Sequence, residues 1–193
     1  MAVTAVRKDL QRLTLKVEAE FDASVERIWQ LWADPRKLER WWGPPTYPAT
    51  FTKHDLAPGS RVEYHMTGPA GDQPHGYWDV LEVEPPRRIL FRDGFAHADG
   101  TPNTDMPINT IRVGIEEVAR GRTRMSIESV FPSTEAMEQV LATGTDEGLR
   151  QAVGQIDTIL AEETIQRQIQ RRAVVTTSTS QPTTNSARKE LRP

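Results

Sequence analysis

The sequence predicts an α+β domain: a seven-stranded curved antiparallel sheet around a long C-terminal helix, with two short helices after the first strand. Three observations lead there. Arg12 to Phe21 alternates apolar and polar residues with period two. Six further strand-like runs follow, joined mostly by short turns rather than by crossover-length segments. After Pro132-Ser133-Thr134 the apolar period becomes helical. A sheet with one apolar face must cover it, and this last helix is the element long enough to do so.

Taken in order, Leu13, Leu15, Val17, Ala19 and Phe21 share one face of the first strand, and Arg12, Thr14, Lys16, Glu18 and Glu20 the other. Asp22-Ala23-Ser24 offers side-chain oxygens to the orphan N–H groups of a helix start. Val25, Ile28, Trp29 and Trp32 then recur at helical spacing. Pro35 opens a second short helix, where its missing N–H is no loss. That helix carries Leu38, Trp41 and Trp42 and stops at Gly43-Pro44-Pro45. The remaining strands are expected near 49–55, 61–67, 75–84, 88–93, 108–118 and 123–131. Pro58-Gly59, Gly68-Pro69-Ala70-Gly71-Asp72, Pro85-Pro86 and Arg120-Gly121 supply turn chemistry between them. One connection, Gly94 to Pro107, is long enough to be a lid or a mobile segment. In the last helix Met137, Val140 and Leu141 come first and Gly144 interrupts. Leu149, Ala152, Val153, Ile156, Ile159 and Leu160 then form an apolar stripe that Ile165 and Ile169 extend weakly. The domain is expected to occupy residues 12–172. From residue 173 to 193 the Thr- and Ser-rich composition buries too little surface to offset its ordering entropy, so a disordered polar tail is expected.

Composition narrows the function. The 193 residues carry a formal net charge of −3, which gives no basic surplus for a phosphate backbone, so nucleic acid is not an expected partner. The absence of cysteine removes disulfides, thiolate metal sites and thiol nucleophiles, and suits a reducing compartment. No apolar run approaches the ~20 residues of a membrane span, and the N-terminus has no signal-like core. A cytoplasmic location and no membrane partner are expected.

Ordered short motifs run through this framework. They are Ala23-Ser24-Val25-Glu26-Arg27-Ile28-Trp29, Ala33-Asp34-Pro35, Trp41-Trp42-Gly43-Pro44 and Asp55-Leu56-Ala57-Pro58-Gly59. Then come Met66-Thr67-Gly68-Pro69, Leu81-Glu82-Val83-Glu84-Pro85-Pro86-Arg87-Arg88-Ile89 and Glu147-Gly148-Leu149. In these residues the chain, from about Leu13 to Ala161, resembles the activator of Hsp 90 ATPase homologue C-terminal-like domains of the START-like (SRPBCC) helix-grip superfamily. The resemblance implies a pocket between sheet and last helix, holding an apolar or amphipathic small molecule, in a stress-related setting. It also implies two alternatives: chaperone ATPase regulation, as in the eukaryotic namesake, and cyclase or hydratase chemistry on a polyketide-like or aromatic substrate.

Alternation places the pocket residues. Ile89, Phe91, Asp93 and Phe95 share one face of their strand; Asn109, Ile111, Val113 and Ile115 share one face of the next. Met125, Ile127, Ser129 and Phe131 share one face of the last. In a meander, Asp93, Asn109 and Ser129 then meet at one end, below the long loop, as a polar rim in an apolar pocket. The plainer alternative is that they bond backbone at strand ends, or that a bulge turns one outward. Trp42, Tyr64, Met66 and Trp78 are wall candidates, with core packing the alternative for each. Leu149 and Val153 face the pocket from the helix. Asp93 with Tyr64 or His54 is the one acid–base pairing in view, since burial raises a carboxyl pKa. No catalytic triad, phosphate loop or metal-ligand spacing is present, and no cofactor is expected. Ile165 and Ile169 make a homodimer contact an open expectation.

Overall fold

The structure, a computed structural model, describes residues 3–178, with side chains to residue 173. The chain divides into two compact units, Met1–Ile159 and Leu160–Pro193. The first holds an antiparallel sheet of eight strands: β1 Val3–Asp9, β2 Thr14–Phe21, β3 Ala49–Lys53, β4 Arg61–Met66, β5 His75–Glu84, β6 Arg88–Ala96, β7 Asn109–Ala119 and β8 Arg122–Val130. Their spatial order is β1-β2-β8-β7-β6-β5-β4-β3. Helices α1 Val25–Ala33 and α2 Pro35–Leu38 follow β2 as expected.

The strand count corrects the expectation of seven. The additional strand, β1, lies at the sheet edge and pairs with β2 alone. None of its side chains is fully buried, so no core imposed the alternation that marks the others. Its turn into β2 is closed by Asp9, whose carboxylate accepts from the Gln11 and Arg12 amides at 3.0 and 2.9 Å.

The long C-terminal helix is present as α5 Ile156–Ser178, but the segment expected to be continuous with it forms two shorter helices, α3 Thr134–Ala142 and α4 Thr145–Gly154. Gly144 ends the first step in the left-handed region, at φ +79°. Ser133 caps α3 through its hydroxyl, which accepts from the Ala136 amide at 3.1 Å. α3 lays Met137 and Val140 on Leu15 and Phe131. In the second unit, α5 carries exposed Ile165 and Ile169 and continues through Ser178. The first residues of the expected polar tail are thus helical, and 179–193 lie outside the described residues. No helix among the described residues is long and apolar enough to cross a membrane.

Helices α1 and α2 close one end of the sheet's inner face. Ser24 and Asp34 cap them, accepting from the Arg27 and Arg36 amides at 3.4 and 2.9 Å. Ile28, Leu31, Trp32, Leu38 and Trp41 are fully enclosed. Burying each such side chain contributes about 1.5–3 kcal/mol, whereas an exposed ion pair contributes about 0–1. The aromatic plug, not the ion pairs of the outer face such as Lys16–Glu18 and Arg112–Glu128, therefore dominates the stability of this end.

Candidate functional site

The inner face of β3–β8 carries the candidate site. Its walls are Phe51, Val62, Tyr64, Trp78, Phe91, Ile111 and Ile127, all buried. Register across β5, β6 and β7 aligns Trp78 with Asp93, and Asp93 with Asn109. Ser129 faces Ile111, one side-chain step from Asn109 on the same face. Asp93, Asn109 and Ser129 therefore lie at one end of one face, the placement that the alternation of three strands implied.

Trp42, Tyr64, Trp78 and Phe91 form one aromatic cluster with Trp32, Trp41 and Phe51. Trp42 and Trp78 meet edge-on at 4.9 Å, and Trp78 stacks on Phe91 at 4.4 Å. These side chains pack against one another as core. Val153 is closed, while Met66, Asp93, Phe95 and Leu149 are half-buried. Met66 and Phe95 stand at the ends of β4 and β6, Met66 beside Gly43, and Gly148 lies beside Pro44. The half-buried side chains of the sheet thus lie near the Gly43-Pro44 corner and the loop after β6.

That loop is shorter than the sequence suggested, because β6 runs through Gly94 and Phe95 to Ala96. It is tied down at both ends. The Asn103 amide donates to the Phe95 carbonyl at 2.9 Å, and Gln139 of α3 donates to the Asp105 carbonyl at 3.1 Å. The Asp99 carboxylate accepts from the Thr101 amide and hydroxyl at 2.9 and 2.6 Å, which also holds it below the usual carboxylate range.

The electrostatics centre on Asp93. Desolvation pushes its carboxyl up to about 7, against the opposing pull of hydrogen-bond donors on Tyr64 and Trp78. Tyr64 donates to Asp93 Oδ1 at 3.4 Å, a long bond. Its phenol is pushed well above the usual value by burial and by the neighbouring carboxylate. The indole N–H of Trp78 tempers both shifts and that of Trp42 the Tyr64 shift alone, yet neither reaches hydrogen-bond geometry. Asn109 Oδ1 is likewise buried without a partner. His54, the other acid–base candidate, is elsewhere: its Nε2 lies 3.0 Å from the Trp32 carbonyl, and burial lowers its pKa.

Two contributors escaped sequence reasoning. Gly76 is one, because a Cβ there would stand 2.5 Å from the Tyr64 ring and hydroxyl. Gln155 is the other; its amide donates to the Gly43 carbonyl at 2.9 Å and holds the Gly43-Pro44 corner against the α4–α5 junction. A groove of about 180 Å³ also opens on the outer face, among Thr52, Glu63, His75, Tyr77 and the Ala98–Gly100 turn.

The comparisons agree with this architecture. The crystal structure of protein Ms6760 from Mycobacterium smegmatis is 49% identical, covers 82% of this chain and 96% of its own, and superposes with a TM-score of 0.76. A solution structure of a protein from Arthrobacter aurescens is 44% identical, covering 83% and 92%, with a TM-score of 0.79. One from Staphylococcus epidermidis, 22% identical over 83% and 95%, shares the fold with a TM-score of 0.71. No curated protein matches the chain. The family model described as Activator of Hsp90 ATPase homolog 1-like protein matches residues 22–161. With the helix-grip architecture and these relatives, that match shows that the chain belongs to the Activator of Hsp90 ATPase homolog 1-like family.

Proposed function

We propose that the protein binds an apolar or amphipathic small molecule at the inner face of the sheet, beneath the helical segment Thr145–Ile159. One observation carries the reading: a desolvated carboxyl group, a phenol and unpaired polar atoms converge on an otherwise apolar inner face whose edge residues Met66 and Phe95 are only half-buried. A few convergent polar groups in apolar walls are the usual form of a small-molecule site. Native mass spectrometry of the purified full chain tests it. A co-purifying molecule of defined mass, lost from the Asp93→Ala variant while the variant stays folded, is the expected result. A wild-type chain that neither retains nor takes up any apolar compound from a broad panel would refute it.

A second reading, acid–base chemistry at the same site, is favoured by the 3.4 Å Tyr64–Asp93 contact and a carboxyl poised near neutrality. It requires turnover with a bell-shaped or sigmoidal pH profile centred near the Asp93 titration. Chaperone ATPase regulation draws support from the family description alone. The outer sheet face shows charged pairs such as Arg7–Glu18, Arg61–Asp79 and Arg124–Glu20, rather than an apolar docking patch.

A further inference from the structure

The inner face leaves three deeply buried polar atoms without a partner in the protein: Trp42 Nε1, Trp78 Nε1 and Asn109 Oδ1. Their residues are 8%, 0% and 4% exposed. A buried unpaired donor or acceptor costs about 1–3 kcal/mol, so three in one enclosure demand an explanation. They are not scattered. The two indoles meet edge-on at 4.9 Å; the Trp78 N–H is turned toward Tyr64 and Asp93, and the Trp42 N–H toward Tyr64. Trp78, Asp93 and Asn109 are consecutive across β5, β6 and β7, so the free donor and the free acceptor flank one carboxyl group.

The chemistry of these atoms selects the occupant. Two N–H donors require an acceptor, and one carbonyl oxygen requires a donor. A carboxylate accepts only, leaves Asn109 Oδ1 unpaired and brings a negative charge to Asp93. An ammonium donates only and leaves both indoles unpaired. A hydroxyl does both without charge, and Phe91, Ile111 and Phe95 supply apolar surface for the body that carries it. We infer that the ligand is a neutral hydroxyl-bearing apolar molecule of phenol type, its oxygen accepting from the Trp42 and Trp78 indoles and its O–H turned to Asn109. This rests on the binding reading above and names the polar head that reading leaves open.

The test uses four probes sharing one apolar body: naphthalene, 2-naphthol, 2-naphthoate and 2-naphthylmethylammonium. Each is titrated into the full-length ¹⁵N-labelled protein, and the indole N–H resonances are followed. The expected result is that 2-naphthol binds at least about tenfold more tightly than the other three and moves the Trp42 and Trp78 indole protons downfield, as new hydrogen bonds do. In Trp78→Phe, and separately in Asn109→Leu, the preference for 2-naphthol over naphthalene should shrink to within about twofold, with naphthalene binding retained as the sign of an intact pocket. Equal affinity for naphthalene and 2-naphthol overturns the hydroxyl assignment and leaves the binding reading standing. A preference for the carboxylate or the ammonium overturns it in favour of that charge. Absence of binding by all four overturns both.

Discussion

Tyr64 of β4 reaches across the whole of β5 to place its hydroxyl 3.4 Å from the Asp93 carboxylate of β6. The strand between contributes Gly76 directly opposite Tyr64, and the phenol ring lies over that missing side chain. This bridging contact joins two polar groups that the apolar walls would otherwise isolate.

The first prediction concerns Asp93. Its folded pKa, about 7, lies above the unfolded value, so its contribution to stability is fully present below about pH 4 and is lost as pH rises through about 7. The shift corresponds to an effect on the order of 2–4 kcal/mol, taken over that window. Asp93→Asn removes the titration. Thermal or urea unfolding of the two proteins from pH 4 to 8.5 should show little difference at the acid end and a more stable variant at the alkaline end. Parallel pH profiles would show that the carboxyl is not desolvated as described.

Gly76→Ala should detach Tyr64 from Asp93. The added Cβ would stand 2.5 Å from the phenol Cζ and Oη, and the ring is hemmed in by Trp42, Phe51 and Trp78. Overpacking of this kind costs about 1–3 kcal/mol. Urea unfolding measures that cost, and ¹³C NMR of the Asp93 carboxyl should show its titration displaced upward, because the Tyr64 hydrogen bond that favours the ionised form is weakened.

Thr123→Val isolates a single buried tie between sheet and helix. The Thr123 hydroxyl donates to the Ala23 carbonyl at 2.7 Å, just before α1 begins. The methyl replacement is close to isosteric, so the loss is that of one hydrogen bond and an orphaned carbonyl, about 1–3 kcal/mol. Equilibrium unfolding checks the magnitude. A change below about 0.5 kcal/mol would mean that water takes over the Ala23 carbonyl.

The sequence disclosed what the core dictates. Leu15 to Phe21 alternate because one face of β2 is sealed, and Asp93, Asn109 and Ser129 could be placed together because three sealed strands fixed their phase. β1 lacked that constraint and left no alternation to read. The break after Gly154 was hidden for a related reason. The apolar stripe continues through it from Val153 to Ile156 and Ile159, so its periodicity gives no sign of the junction. Tyr64 and Asp93 were each visible as inward-facing, but their contact depends on the empty position at Gly76, and no pattern along a single strand reports a neighbour's missing Cβ.

Gln155 supplies the last test, because it is the residue at that break. Its side-chain amide donates to the Gly43 carbonyl at 2.9 Å and lies 3.4 Å from the Trp41 carbonyl, in the segment that carries Trp42. Gln155→Leu preserves bulk and apolar packing but leaves the Gly43 carbonyl with no side-chain donor, at a cost of about 1–3 kcal/mol. Gly43 holds φ +98°, and a Cβ there would stand 2.3 Å from the Tyr47 carbonyl, so this corner has little freedom to find another donor. The variant should therefore lose stability and also loosen this corner, seen as faster amide exchange at Trp42 and Gly43 than at Phe91 in the same sample. Uniform acceleration at all three would mean that Gln155 stabilises the domain as a whole and does not specifically hold the Gly43-Pro44 corner.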